Sequence, residues 1–481
     1  MTVFYRLKNK FIGSRAFYKM LLAILLPLVA RQGITNFVSL LDNLMVGKLG
    51  DIPMSAVSIV NQLVFIFNLA IFGGLSGVSI FSTQYYGSGN WKGMSDCFRF
   101  KLYFTFITSA VAVSGLLLFG KPLVMLFLES ENNSPEQIEA VLGYALDYLK
   151  IAVIGLLPFG LVQAYGGTLC EMGETKMPMY AGFAAIGVNL TFNYLLIYGK
   201  FGFPALGVRG AAIATVMSRF VELAFVLIAT HVKRKKYRFV IGLFSTPKVP
   251  FQLVKRIFLT GTPLMINEIL WSTGKTFINR SYSLRGIDVI AATNITNTSW
   301  DLFCIIMFAF GTAISIIIGQ KLGEGDRQGA IDTVPKLMFA TVVSQTVLGI
   351  ALILCSTLIP SLYNSNENVR ELARSFLIIC GCILPIEAIV HNIYFVIRSG
   401  GKTFITFLFD SVYEWTIQCT LSFVLCKYTN LSIVVIFAIV MCSGFLKLTF
   451  GIPMLKSGFW ANTLIGFRDH SDKNKKIKNK I

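Results

Sequence analysis

Residues 261–275 read GTPLMINEILWSTGK. The stretch opens a long apolar segment, has Pro263 near one end, and places a carboxylate, Glu268, at about the depth of a membrane's middle. An acid at that depth costs at least about 2.5–3.5 kcal/mol on insertion scales, so one that is kept faces a protein-lined cavity and works there. The rest of the chain reads as two membrane halves around a cavity that Glu268 helps to line.

Composition supports that reading. Of 481 residues, 54% are hydrophobic and 14% charged, whereas soluble domains have about a quarter of their residues charged. A chain this long and apolar is a polytopic membrane protein. The net charge of +19 would point to nucleic acid in a soluble protein. Here the basic residues sit between apolar runs and report which side each loop lies on, so no nucleic-acid partner is expected. The nine cysteines are scattered and lack paired metal spacing; Cys380 and Cys382 form only a C-x-C within an apolar run. The first apolar run is long and has no cleavage site, so it stays as a helix.

Twelve spans follow in order: 17–47, 54–86, 102–128, 140–169, 179–198, 211–231, 257–284, 289–321, 334–363, 369–397, 404–426 and 432–455. The second is rich in small residues (Gly73, Gly74, Ser76, Gly77, Ser79), which permit close helix packing. The segment 87–101 reads as a polar, basic loop. The segment 232–256, with HVKRKKYRF at its start, is the most basic loop and the natural linker between a 1–231 lobe and a 257–456 lobe; 457–481 is a polar tail. With both termini in the cytoplasm the charge bias is satisfied throughout, and the expected location is the cell membrane. The basic linker is read as a topology signal, with binding of anionic membrane lipid as the sharper alternative.

The halves repeat. Pro27 and Pro263 differ by 236, and the same offset pairs Gly50 with Gly286, Asn61 with Asn297, Gln84 with Gln320, Gly87 with Gly323 and Gly89 with Gly325. A slightly different offset pairs Pro158 with Pro385, and EMGETK with RSGGKT. Six is even, so both units start on the same side and are related by an axis along the membrane normal. The fold class is all-α integral membrane protein, twelve transmembrane helices in two pseudo-symmetric six-helix bundles.

With these segments in view the chain resembles the multidrug and toxic compound extrusion (MATE) transporters. The first span carries LLDNLMVGKLG; the second ends in QYYGSGNWKG, matched by GQKLGEGDRQGA in the second half. Residues 189–215 read NLTFNYLLIYGKFGFPALGVRGAAIAT, and the turns EMGETKMP and RSGGKT complete the set. The resemblance implies two six-helix bundles in a V, exporting organic, often cationic compounds against inward Na⁺ or H⁺ flow. It also implies that Asp42 is the first-span acid and Glu268, within PLMINEILW, the seventh-span acid that the family uses. One departure matters: Asn193 stands where many members have an aspartate, so the N-lobe site holds one ionisable group, with Asn189 and Asn193 able only to donate and accept hydrogen bonds.

Coupled transport needs a group that is unfavourable when charged and empty, and satisfied by a cation or a proton. A desolvated carboxylate meets that need. Asp42, Glu268, Asp301 and Glu387 are the ion-coupling candidates, and Asp410 and Glu414, with Asn189, Asn193, Trp271 and His391, the substrate-binding ones. His391 lies four residues after Glu387, on the same helical face, and Trp271 three after Glu268. An aromatic beside an acid suits a planar cation. For each of these the plainer alternative is a hydrogen-bonded or packing role within the bundle. Arg219 and Glu222 read as an i,i+3 structural pair.

The leading reading is a secondary active multidrug exporter, not an enzyme, without a cofactor, monomeric, with Na⁺ or H⁺ as coupling ion. A lipid-linked oligosaccharide flippase of the same superfamily is the alternative, and the acidic cleft expected here argues against it. A membrane-embedded transferase would need a paired catalytic motif and a large donor-binding loop, and neither is visible. No P-loop points to direct ATP drive.

Overall fold

The computed structural model describes residues 10–128, 134–243, 245 and 248–466, and every regular element among them is helical. The first lobe comprises α1 (Arg15–Gly47), α2 (Asp51–Gly87), α3 (Trp91–Met125), α4 (Pro135–Ala152, continuing through a 3-10 turn as Leu156–Glu171), α5 (Lys176–Tyr198) and α6 (Val208–Val232). The second comprises α7 (Phe251–Ser283), α8 (Ile287–Phe303, restarting as Ile305–Glu324), α9 (Arg327–Leu354), α10 (Glu367–Ser399), α11 and α12 (Ile433–Cys442, restarting as Gly444–Lys456). Helix α11 begins at Thr403–Phe407, winds as π-helix through Leu408–Val412 and Glu414–Cys419, and ends as Thr420–Tyr428.

Ten helices among the described residues are long and apolar enough to cross a membrane. Two of the twelve expected spans fall outside that set for chemical reasons. Helix α7 has the length but carries Lys255, Arg256, Glu268, Lys275 and Arg280. Helix α11 is divided by its π turns, whose extra residue per turn re-aims side chains and is common at functional sites. The chain is an all-α, multi-pass membrane protein.

The repeat is visible in local geometry. Gly50 and Gly286, 236 residues apart, both precede the second helix of their half with positive φ, 116° and 119°, a conformation that glycine reaches without a Cβ clash. Asn90 and Asp326, also 236 apart, each cap the following helix through a side-chain oxygen, to Gly93 N at 3.0 Å and Gly329 N at 2.8 Å.

Each lobe has its own apolar core. One runs from Val46 through Leu149 to Leu243, the other from Ile278 through Phe376 to Val440. Two further clusters join the lobes at the basic end, where α1 begins and the 232–256 segment lies. There Leu21, Ile24 and Leu25 of α1 pack with Ala313 and Ile317 of α8, and Val78 and Phe81 of α2 with Leu253 and Ile257 of α7. Small residues make this possible: a Cβ on Gly73 would stand 3.0 Å from Met265 Cγ, and one on Gly261 3.5 Å from Gly77 Cα.

The structure corrects the expected loop 87–101. Helix α3 starts at Trp91, and Asp96, Arg99 and Lys101 are buried. They can be, because each is paired. Arg99 binds Asp96 at 2.6 Å and donates to the carbonyls of Gly242 and Leu243 at 2.8 and 2.9 Å. Lys101, 1% exposed, binds both Glu171 carboxylate oxygens at 2.6 and 2.7 Å and Thr168 at 3.0 Å, and Ser82 donates to the same carboxylate. The linker is corrected with it: Tyr237, Phe239, Val240 and Leu243 lie in the first lobe's core, so the 232–256 segment is docked there over part of its length. The 1–9 arm and most of the tail, 467–481, lie outside the described residues. The tail's start, 457–466, folds onto the basic end, where Leu464 N donates to Gln84 Oε1 at 2.7 Å and Thr463 Oγ1 to Leu322 O at 2.9 Å.

Candidate functional site

Glu268 lies three residues after Met265 and seven after Gly261, two of the α7 positions that meet α2. Residues at those spacings share one helical face. The half-buried carboxylate therefore lies on the helical face that meets α2, one turn beyond that contact.

Its neighbour Asn267 is 2% exposed and knits α7 to α11. Asn267 Nδ2 donates to Asp410 Oδ2 at 3.1 Å and reaches Tyr394 OH at 3.5 Å, while Ser411 Oγ donates to Asn267 Oδ1 at 2.7 Å and to its carbonyl at 2.9 Å. Lys447 of α12 donates to Asp410 Oδ1 at 3.1 Å, with its ammonium 5.1 and 5.7 Å from the ring centres of Tyr413 and Phe409. Glu414, 1% exposed, lies 3.5 Å from Lys275 Nζ; Gly274 leaves it room, since a Cβ there would stand 3.1 Å from Glu414 Cδ. Glu387 approaches the α12 break, where a Cβ on Gly444 would stand 2.6 Å from its Oε1. His391 packs between Phe308 and Phe395, ring centres 5.4 and 4.8 Å away, and its buried Nε2 has no hydrogen-bond partner.

The structure thus gathers Glu387, Asp410, Glu414 and His391 inside the second lobe, with Glu268 on the α7 face that meets α2. It also corrects the expectation of a plainly acidic cleft. Lys275, Lys447 and Arg398 are interleaved with these acids, and Asp410 and Glu414 each hold a lysine. Asp301 is exposed on α8 and makes no hydrogen bond or ion pair among the described residues. Trp271 is 37% exposed, with no ring partner among the described residues. Lys447, Asn267, Tyr394 and Arg398 went unnoticed in the sequence. The available signal was the rule that flagged the acids: Lys447 is an ionisable residue inside an apolar run.

The first lobe holds a smaller polar centre. Asn193 Nδ2 donates to Asp42 Oδ1 at 2.5 Å and to Asn189 Oδ1 at 3.1 Å, and Asn189 Nδ2 reaches Thr215 Oγ1 at 3.4 Å. Asn193 is 1% exposed and its Oδ1 has no partner. One carboxylate, amide oxygens and a hydroxyl, with an acceptor left over, make an oxygen-rich set that fits a hard cation. The expected Arg219–Glu222 pair is present at 3.2 Å.

The polar centres are thus unequal although the lobes share one plan. Known proteins show the same plan. Residues 27–195 and 263–412 each match the MatE family model, and the two matches begin 236 residues apart, the offset of the internal repeat. A probable multidrug resistance protein NorM of Thermotoga maritima is 24% identical over 453 residues, covering 94% of this chain and 95% of that one. Multidrug resistance protein NorM of Vibrio cholerae is 26% identical over 373 residues, 77% of this chain and 78% of its own. Among solved structures, the outward-facing conformation of a multidrug resistance MATE family transporter of the MOP superfamily superposes with TM-score 0.79 at 17% identity, over 92% of this chain and 96% of that one. A MOP superfamily transporter of Pyrococcus furiosus, described as having a binding pocket of reverse polarity, gives 0.76 at 18% identity over the same shares. The duplicated match spans well over half of the sequence, one copy in each lobe, and the chain belongs to the MatE family.

Proposed function

We propose that this protein is a secondary active multidrug exporter that exchanges an organic, often cationic compound for Na⁺ or H⁺ by alternating access. The observation that carries the reading is the place of Glu268, on the α7 face turned to the other lobe and one turn beyond the lobe contact. A carboxylate there is desolvated when the lobes close and reached from outside when they part, so its charge state is tied to the conformation. Within this cluster, four acids (Glu268, Glu387, Asp410, Glu414) against three bases (Lys275, Arg398, Lys447) leave one positive charge missing, which supports a monovalent cation or a proton as the missing partner. The multidrug resistance names of the NorM relatives agree with this reading.

On this reading the protein works in the cell membrane with both termini in the cytoplasm, as a monomer in lipid, without cofactor or covalent catalysis. Asp42 with Asn189 and Asn193 forms a second cation-responsive centre. The test is transport of a fluorescent organic cation by purified protein in liposomes, with a Na⁺ gradient and a pH gradient imposed separately. Flux driven by one of them and lost in Glu268→Gln supports the exchange and names the ion. Absence of flux under both would turn attention to an anionic or lipid-linked substrate, for which the interleaved lysines offer contacts.

A further inference from the structure

We propose that Arg398 is a built-in cation for the Glu268 site, drawn to the carboxylate when no external cation is bound and displaced when an ion or substrate arrives. The proposal rests on the reading of Glu268 as a cation-binding carboxylate. Arg398 lies at the end of α10, 6% exposed, and its Nη1 has no hydrogen-bond partner among the described residues. A buried guanidinium with an unused donor is costly, and such groups are normally paired. The internal repeat shows that this charge is particular to the second lobe. Gln320 and Gln84 donate in matching fashion to the carbonyls of Glu171 and Ser399, at 2.7 and 3.1 Å, and Gly173 and Gly401 share a positive φ, so Arg398 stands where the first lobe has Cys170. The second lobe thus buries a guanidinium where the first lobe has an uncharged side chain, and gives it no carboxylate partner among the described residues.

The guanidinium is held by rings instead. It lies 5.9 and 5.3 Å from the centres of Tyr394 and Phe395, over the preceding turn of α10. Helical side chains lean toward the helix N-terminus, so this arm points from the basic end into the lobe. Tyr394 OH is 3.5 Å from Asn267 Nδ2, the residue next to Glu268, which puts the guanidinium's ring platform beside the site. Charged or titratable groups act on this region from four helices: Glu268 on α7, His391 and Tyr394 on α10, Asp410 on α11 and Lys447 on α12. Lys447 is committed to Asp410 at 3.1 Å, and Lys275 to Glu414. Arg398 is the base of the cluster with no carboxylate in contact, and Glu268 the acid toward which its charge is directed. An internal cation of this kind weakens external cation binding and favours release, because it offers the emptied carboxylate an alternative partner.

The test is equilibrium binding of ethidium, a planar monovalent cation, to the purified full-length protein in detergent with no gradient. Arg398→Met is expected to tighten ethidium binding by about tenfold, a usual size for coupling between two sites. Arg398→Gln keeps a donor toward Tyr394 without the charge; it carries the same expectation and replaces Arg398→Met should that variant not fold. Arg398→Lys should bind as the wild type does, and the gain should vanish when Arg398→Met is combined with Glu268→Gln. Unchanged or weaker binding in the uncharged variants, or a gain that survives Glu268→Gln, would overturn the proposal, as would absence of binding in every variant. A wild type that binds ethidium yet shows no ion-driven flux in liposomes sinks the coupling reading alone and leaves the Arg398 comparison to be judged on its own.

Discussion

Gly87 of α2 lies directly against the main chain of Gln320 of α8, where a Cβ would overlap the Gln320 carbonyl oxygen, and Gly323 stands in the same relation to Gln84. Each contact is the image of the other under the 236-residue repeat. The QYYG and QKLG segments therefore touch along the pseudo-twofold axis, and this contact closes the basic end. Gly87→Ala or Gly323→Ala inserts a methyl group into the seam at a cost of about 1–3 kcal/mol to the joined state. Spin labels on the basic ends of α2 and α8 should report a longer distance in either variant. An unchanged distance distribution would show that the seam tolerates the methyl group.

Glu268→Gln keeps the shape of the side chain and removes its charge. Ion-driven efflux is expected to fall by about tenfold or more, equivalent to at least about 1.4 kcal/mol in the coupled step, with expression and folding unchanged. Full activity in liposomes would remove Glu268 from the mechanism. Asp301→Asn, at an exposed position with no polar partner, should leave the same flux nearly intact.

The buried Lys101–Glu171 pair makes a stability prediction. Lys101→Met strands a carboxylate that is 5% exposed and should cost about 3–5 kcal/mol, the usual loss on breaking a buried pair from one side. Thermal unfolding in detergent should show a large fall for the single variant. Combining it with Glu171→Leu should restore much of the loss, because no uncompensated charge then remains.

Asn193→Asp places a second carboxylate against Asp42, in contact at 2.5 Å through the present amide. Two acids at that spacing do not both ionise without a cation between them. Transport by this variant should depend more steeply on Na⁺ or on pH than transport by the native protein. Identical ion dependence of the two would separate the first-lobe centre from coupling.

Asp326 caps α9 from outside the bundle. The Gly329 N–H and the Lys321 ammonium hold its carboxyl below the usual carboxylate range. A depressed pKa contributes stability that is present above the ordinary aspartate range and lost as pH falls through the lowered value. Asp326→Ala should therefore lower the melting temperature at neutral pH, with the difference fading in strong acid. A difference that persists there would assign the effect to something other than the ionised cap.

Much of this protein is legible in the order of its residues. Apolar runs of span length, basic segments between them and a 236-residue repeat fix an all-α, two-lobed membrane fold, because in lipid every backbone group must bond within its own helix. The depth of Glu268 and the pairing of Asp42 with Asn189 and Asn193 could be read from position and resemblance. Other features depended on packing across the chain. Lys101 looked like a loop lysine until Glu171, 70 residues on, was seen to hold it, and that pairing is what lets Lys101 lie buried within α3. The lysines beside Asp410 and Glu414 come from α12 and α7, and the π turns of α11 set the aim of both acids. A local sequence states that a charge lies in an apolar run; which partner satisfies it, and which charge is left without one, is decided only when distant helices meet.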